Sequence, residues 1–153
     1  MSSTFSQIYI HVIFAVKGRR SLIKPEWETD LHKYISGIIT NKGQKLLAIN
    51  GMPDHIHILI GMRPSCCLSD LVREIKKSSN SYINQSLIKG RVFLWQEGFG
   101  AFSHCPDSID RVISYIHNQK EHHTKNKFRK EYKVFLNEYE VEFKEEYLFD
   151  WID

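Results

Sequence analysis

The sequence predicts an α+β, ferredoxin-like fold: a small, mainly antiparallel sheet with helices on one face and a third helix that carries a tyrosine. Two observations point there. Short β-branched runs and stretches with apolar residues at helical spacing follow one another in the order β-α-β-β-α-β-α. In addition, 153 residues, 42% of them hydrophobic, are enough for one ordinary core and too few for two.

Residues 7–16, rich in β-branched and aromatic side chains, read as a first strand that ends at the basic turn Gly18-Arg19-Arg20. From Pro25 to about Asn41, Trp27, Leu31, Tyr34, Ile35, Ile38 and Ile39 recur at helical spacing, and Gly43 closes that helix. Residues 45–52 and 56–62 form two strands joined by the tight turn Pro53-Asp54. Residues 68–87 predict a second helix, with Leu71, Val72, Ile75, Ser79 and Tyr82 on one side and Arg73, Lys76 and Lys77 around the other. Short strands at 92–95 and 99–103 flank Gly98 and Gly100. Pro106-Asp107-Ser108 then opens a third helix running to about His123. Beyond Lys127, polar and aromatic residues mix without a readable period, and no element is assigned.

Charge is unevenly placed. Residues 1–127 carry 17 Lys/Arg against 10 Asp/Glu, a balance of +7, whereas residues 128–153 carry 4 against 8, a balance of −4. A basic body with an acidic tail suits a protein whose body meets a polyanion. The three cysteines, Cys66, Cys67 and Cys105, have no CxxC spacing, which argues against a disulfide framework or a structural zinc site. The apolar stretch 8–16 is short, is interrupted by His11 and is followed by basic residues, so neither a secretory signal nor a membrane span is expected. The expected compartment is the cytoplasm.

His55-Ile56-His57 is the first motif with chemical content. Alternate side chains of a strand share a face, so Ile56, Ile58 and Ile60 can face the core while His55 and His57 stand together on the other side. Two imidazoles presented together are half of a site for a first-row divalent metal. An HxH triplet also decorates the polar face of many half-buried strands, so the pair alone defines no site. On the third helix, Ile109, Val112, Ile113 and Ile116 form the stripe that should face the sheet. Tyr115 lies on its flank, with Gln119 one turn later and Ser108, Arg111 and His122 on the same side. A tyrosine on a helix flank often only packs its ring and leaves its hydroxyl in water. His122 and His123 are read as surface residues by the same reasoning.

Taken together, the strand and turn from Tyr9-Ile10-His11-Val12-Ile13-Phe14 to Arg19-Arg20, the segment Pro53-Asp54-His55-Ile56-His57-Ile58, and the helix Ser114-Tyr115-Ile116-His117-Asn118-Gln119 resemble the HUH single-tyrosine transposases of the insertion sequence 200/605 type. That family includes relatives associated with repetitive extragenic palindromes, and the likeness covers about residues 7–124. It implies that His55 and His57 bind a divalent cation, Mg²⁺ or Mn²⁺, that Gln119 completes the metal site, and that Tyr115 is the nucleophile. The implied activity is site-specific cleavage and strand transfer of single-stranded, hairpin-bearing DNA through a 5′-phosphotyrosine, with no nucleotide cofactor and no membrane partner. The implied working unit is a homodimer in which the tyrosine of one subunit serves the histidines of the other, the palindrome-associated relatives being the monomeric alternative. Residues 1–127 would be the transposase domain. Residues 128–153 would be an acidic tail, not an independent domain, of the kind seen in the palindrome-associated relatives.

A site of two imidazoles and one amide, lacking a carboxylate, is expected to hold metal weakly without DNA. Arg19, Arg20, Arg73, Lys76 and Lys77 are the candidate phosphate contacts. Trp95, Phe99 and Phe102 are candidates for base stacking, with core packing the expected role of two of the three. No general base stands out, His117 and His122 being candidates only. A non-catalytic, domesticated hairpin-binding protein is the alternative reading. A two-histidine phosphoesterase is disfavoured, because His57 stands where that chemistry needs a hydroxyl and only His122-His123-Thr124 offers a comparable motif.

Overall fold

The computed structural model describes residues 3–122 and 127–152. Its elements run β1 (Tyr9–Ala15), α1 (Pro25–Asn41), β2 (Lys45–Met52), β3 (His55–Gly61), α2 (Leu68–Tyr82), β4 (Gly100–His104), α3 (Ile109–His117), α4 (Gln119–His122) and α5 (Phe128–Glu138). The sheet has the order β2-β3-β1-β4 with every neighbouring pair antiparallel, which is the ferredoxin-like arrangement. Among the described residues no helix is long and apolar enough to cross a membrane.

Register assigns the side chains to the two faces. Phe14 lies opposite Ile56, Val12 opposite Ile58 and Ile10 opposite Ile60, so these six share one face. The intervening pairs, Ala15 with His55, Ile13 with His57 and His11 with Leu59, share the other.

The first face is covered by α1 and α2, the two helices expected together. Pro25 at the first turn and apolar residues four apart give α1 a stripe of Trp27, Leu31, Ile35 and Ile39, all buried. Gly43 adopts a positive φ of 78°, and Gln44 N–H reaches back to Ile39 O (3.1 Å), which ends the helix where predicted. The aromatic chain Trp27–Phe93–Trp95–Phe14, each ring meeting the next edge-on, closes the core at one end. Trp95 Nε1 donates to Ser79 Oγ at 3.0 Å, so the polar atoms of both are satisfied inside.

Three boundaries differ from those predicted. The second helix leaves the α form after Tyr82 and continues as a π turn, Ile83–Leu87. Next, residues 92–95 form no named strand. Asn84 instead clamps the Phe93 backbone from both sides (Nδ2 to O 3.1 Å, N–H to Oδ1 2.6 Å), and Trp95 makes an isolated bridge with Val16. Finally, the tyrosine-bearing helix breaks at Asn118, whose φ of −96° and ψ of 19° leave the helical region. The break is held by side chains on both sides of it. Asn50 Nδ2 donates to His117 O (3.0 Å), and Lys120 Nζ donates to Gly51 O (2.5 Å) and Glu28 Oε2 (2.8 Å).

α3 packs on the second face, burying Ile109, Val112 and Ile116 against Ala48 and Leu59. Beside it lies α5, in the segment that carried no assignment from sequence. Phe128, Tyr132 and Leu136 turn inward, and Phe149 packs on Tyr132 with ring centroids 5.1 Å apart. The returning chain is fastened by Gln96, which bonds the backbone of Asp150 through both ends of its amide (2.7 and 2.8 Å). Gly100 is required here, since a Cβ at that position would lie 2.6 Å from the Tyr132 hydroxyl oxygen.

Candidate active site

The second face carries a buried polar cluster. His55 and His57 are both 0% exposed. Each has its Nδ1 engaged on one side, His55 with Asp54 Oδ1 (2.7 Å) and His57 with His11 Nε2 (2.8 Å). Their Nε2 atoms converge on Glu131 Oε1, at 3.3 Å from His55 and 3.1 Å from His57. Gln119, also fully buried, places its Oε1 3.3 Å from His55 Nε2 and donates from Nε2 to Glu131 Oε2 (3.1 Å). The Tyr115 hydroxyl donates to the same Oε2, and its ring stands edge-on to His57 with centroids 6.0 Å apart.

Electrostatics follow from this packing. Burial disfavours charge on His55, but its bonds to Asp54 and Glu131 outweigh that and raise its pKa. Burial holds the His11 pKa well below the ordinary histidine value, and the neighbouring His57 lowers it further. Burial raises the pKa of the Tyr115 phenol, and the Glu131 carboxylate raises it again, so the hydroxyl is un-ionised at neutral pH.

A divalent cation fits the donor set. His55, His57 and Glu131 each offer a ligand atom, all three residues are buried, and these atoms lie within 4.8 Å of one another. Asp54 and His11 hold the far nitrogens of the two imidazoles, which orients both Nε2 atoms into the cluster. The expectation of a site without a carboxylate is therefore corrected. Glu131 enters from α5, 74 residues away from His57. Its signal in the sequence was an acid on the Phe128–Tyr132–Leu136 stripe, a charged residue where the helix turns its apolar side inward.

His55, His57, Tyr115 and Gln119 are thus brought together within one chain. The candidate phosphate contacts lie elsewhere. Arg19 and Arg20 sit in the exposed turn after β1. Arg73, Lys76 and Lys77 belong to α2, across the sheet from the histidines; Arg73 pairs with Asp70. Lys76 donates to Gln96 O (2.8 Å) and Gly98 O (2.6 Å) and stands over the Phe14 ring. Trp95 and Phe102 are buried and Phe99 half-buried, so core packing claims two of the three candidate stacking rings. His117 is exposed. The side chain of His122, and His123 and Thr124 altogether, lie outside the described residues.

Transposases of known structure share this fold. A crystal structure of a candidate transposase from Deinococcus radiodurans R1 has a TM-score of 0.58 and 25% identity, covering 78% of this chain and 95% of that one. A REP-associated tyrosine transposase bound to a REP hairpin has a TM-score of 0.59 and 18% identity, covering 80% and 74%. The chain belongs to the IS200-like transposase family, whose sequence profile matches residues 4–119. It is also 22% identical over 120 residues to the ISDra2 transposase TnpA of Deinococcus radiodurans, spanning 75% of this chain and 86% of that protein. The matched segment ends before α5, so Glu131 lies beyond it.

Proposed function

We propose that this transposase cleaves and rejoins single-stranded, hairpin-bearing DNA, with Tyr115 as the nucleophile beside a divalent cation. The observation that carries the reading is the meeting of the Tyr115 hydroxyl with both histidine Nε2 atoms around one carboxylate, Glu131. In this reading His55, His57 and Glu131 hold the cation, Mg²⁺ or Mn²⁺, and Gln119 lies close enough to share in it. Mn²⁺ accepts imidazole nitrogen the more readily of the two. When bound, such a cation polarises a phosphate and offsets the negative charge that develops on it.

Tyr115 attacks the phosphorus, forming a 5′-phosphotyrosine and releasing a 3′-hydroxyl; the reverse attack by a 3′-hydroxyl rejoins the strand. Its phenol has to lose a proton in the process, and Glu131 Oε2 already accepts that hydrogen bond. His11 and Asp54 are positioning residues, fixing the rings whose Nε2 atoms face the reaction centre. The resemblance implied a homodimer that exchanges its tyrosines, whereas here the Tyr115 phenol meets the histidines of its own chain, so a dimer would not need the exchange. Arg19 and Arg20 in the turn after β1 and Arg73 and Lys77 on α2 remain the proposed phosphate contacts, away from the histidine face. Lys76, held by two carbonyls, joins them only where DNA displaces those bonds.

The test incubates the protein with a hairpin carrying single-stranded tails and Mn²⁺, then denatures the mixture. A protein–DNA adduct that survives denaturation is expected from the wild type and absent from Tyr115→Phe. Binding by both proteins with no adduct from either would hand the case to the non-catalytic module.

A further inference from the structure

An open cleft of about 980 Å³ lies against the outer side of Tyr115, walled by residues from β4, α3 and α5. Its size is within the range that small ligands occupy. We infer that this cleft receives one unpaired nucleobase of the single strand, next to the phosphate that Tyr115 attacks. The inference rests on the single-strand cleavage reading above and adds to it a base-binding site.

Four observations converge on that occupant. The first is an aromatic wall. Phe135 and Tyr139 line the cleft over the buried Phe102, the three rings touching one another with centroids 5.5 Å (Phe102–Phe135), 5.0 Å (Phe102–Tyr139) and 6.3 Å (Phe135–Tyr139) apart. Tyr139 is 37% exposed, so an aromatic ring is left for a base to cover, and stacking on such rings is how unpaired bases are held regardless of sequence. The second is the floor. His11 is 1% exposed and lines the cleft, yet its Nδ1 has no hydrogen-bond partner; the buried Nε2 of His104, also in the lining, has none either. Buried polar atoms are ordinarily paired, and the edge of a base would pair them.

The third observation is charge. Glu131 is committed to the histidines, so Arg111 and Lys130 with Glu138 are the charges left to the rest of the lining, a mixed polar rim that suits a nucleotide whose base sits inside and whose phosphates stay outside. The fourth is position. Tyr115 is part of the same wall, so a base seated here places its own backbone beside the phenol. Base extrusion of this kind is how enzymes bring one nucleotide to a reaction centre. The rings suggested by sequence do not compete for the role, since Trp95 and Phe102 are covered and Phe99, half-buried, does not line the cleft.

The experiment uses the full chain, Mn²⁺ and a hairpin with single-stranded tails whose cleavage position has been mapped by adduct formation. Single abasic residues are placed at each position flanking that site, and 2-aminopurine is placed at the same positions in a parallel set. One position is expected to lower the adduct rate of the wild type about tenfold when abasic, and its 2-aminopurine to be quenched on binding. Tyr139→Ala should slow the intact DNA by about the same factor, lose the quenching, and become indifferent to the abasic change at that one position. Tyr139→Trp should restore all three, which separates loss of stacking from loss of folding.

The inference is overturned if the adduct forms but abasic and Tyr139→Ala effects simply multiply at every position. If no adduct forms with the wild type, the function proposed above fails. The quenching scan, run on Tyr115→Phe with the same tailed hairpin, then reads the cleft independently; no quenched position that depends on Tyr139 rejects it too.

Discussion

The two faces of this sheet are built on opposite terms, although the same strands supply both. Under α1 and α2, Ile56, Ile58 and Ile60 meet Val12 and Phe14, all of them 0% exposed. Under α3 and α5, one residue out of step along the same strand, His55 and His57 meet His11, Gln119 and Glu131, all of them buried. The first face gains stability from apolar area removed from water. The second places polar and charged groups out of water, which costs stability unless each is paired, and here the Nε2 atoms of His55 and His57 both have partners. Apolar burial thus dominates one side and a buried polar cluster the other, joined by a period of two.

Substitutions on the two faces should therefore separate activity from folding. Tyr115→Phe is expected to lower adduct formation at least ~10³-fold, in line with removal of a nucleophile, while leaving the thermal midpoint within a few degrees; electrophoresis after denaturation and a melting curve read the two together. Ile58→Ala should behave the opposite way, losing about 2–5 kcal/mol of unfolding free energy while cleavage persists below the lowered midpoint, as denaturant titration and the same adduct assay would show. If Ile58→Ala instead abolished cleavage in folded protein, the faces would not be independent.

Glu131→Gln sharpens the contrast within the polar face. Loss of the carboxylate is expected to weaken Mn²⁺ binding by the DNA-free protein at least about 10–100-fold, read by paramagnetic resonance of free Mn²⁺. Unchanged affinity would remove Glu131 from the ligand set. Mixing Tyr115→Phe with His57→Ala should recover no adduct, because the phenol serves histidines of its own chain; recovery would mean that the tyrosine is exchanged between subunits.

The smallest effect concerns Lys76, the charge perched over Phe14 on the apolar side. Burial lowers its pKa from 10.5 to about 8. The unfolded chain therefore holds this proton more tightly, and stability from this group rises as pH climbs from about 8 towards 10.5 and is lost as pH falls back through 8. Lys76→Met should flatten that rise in melting curves taken across the window; an unaltered slope would show that its ammonium is fully solvated.

Much of this was readable in one dimension because the governing patterns are local. Alternation along β3 separates Ile56 from His57 whatever packs around them, and the 3.6-residue repeat puts Trp27, Leu31 and Ile35 on one side of α1. The i, i+4 spacing likewise put Tyr115 and Gln119 together, although the helix breaks between them at Asn118. Docking after the break returns Gln119 to the same carboxylate that Tyr115 touches. The error over the carboxylate had a physical origin. The tail holds many acids, and composition does not say which one a helix turns inward when its apolar stripe docks.

By itself, then, the sequence determined the sheet-forming alternation, the helical stripes and the paired imidazoles, since each depends on neighbours a few residues apart, and the order of its short motifs determined the family to which the chain belongs. Only the tertiary structure decided that α5 closes over the histidine face, that Glu131 joins residues 74 positions away, and that an aromatic cleft opens beside Tyr115. Those outcomes depend on which apolar surfaces find each other across long chain separations, and no local period encodes that choice.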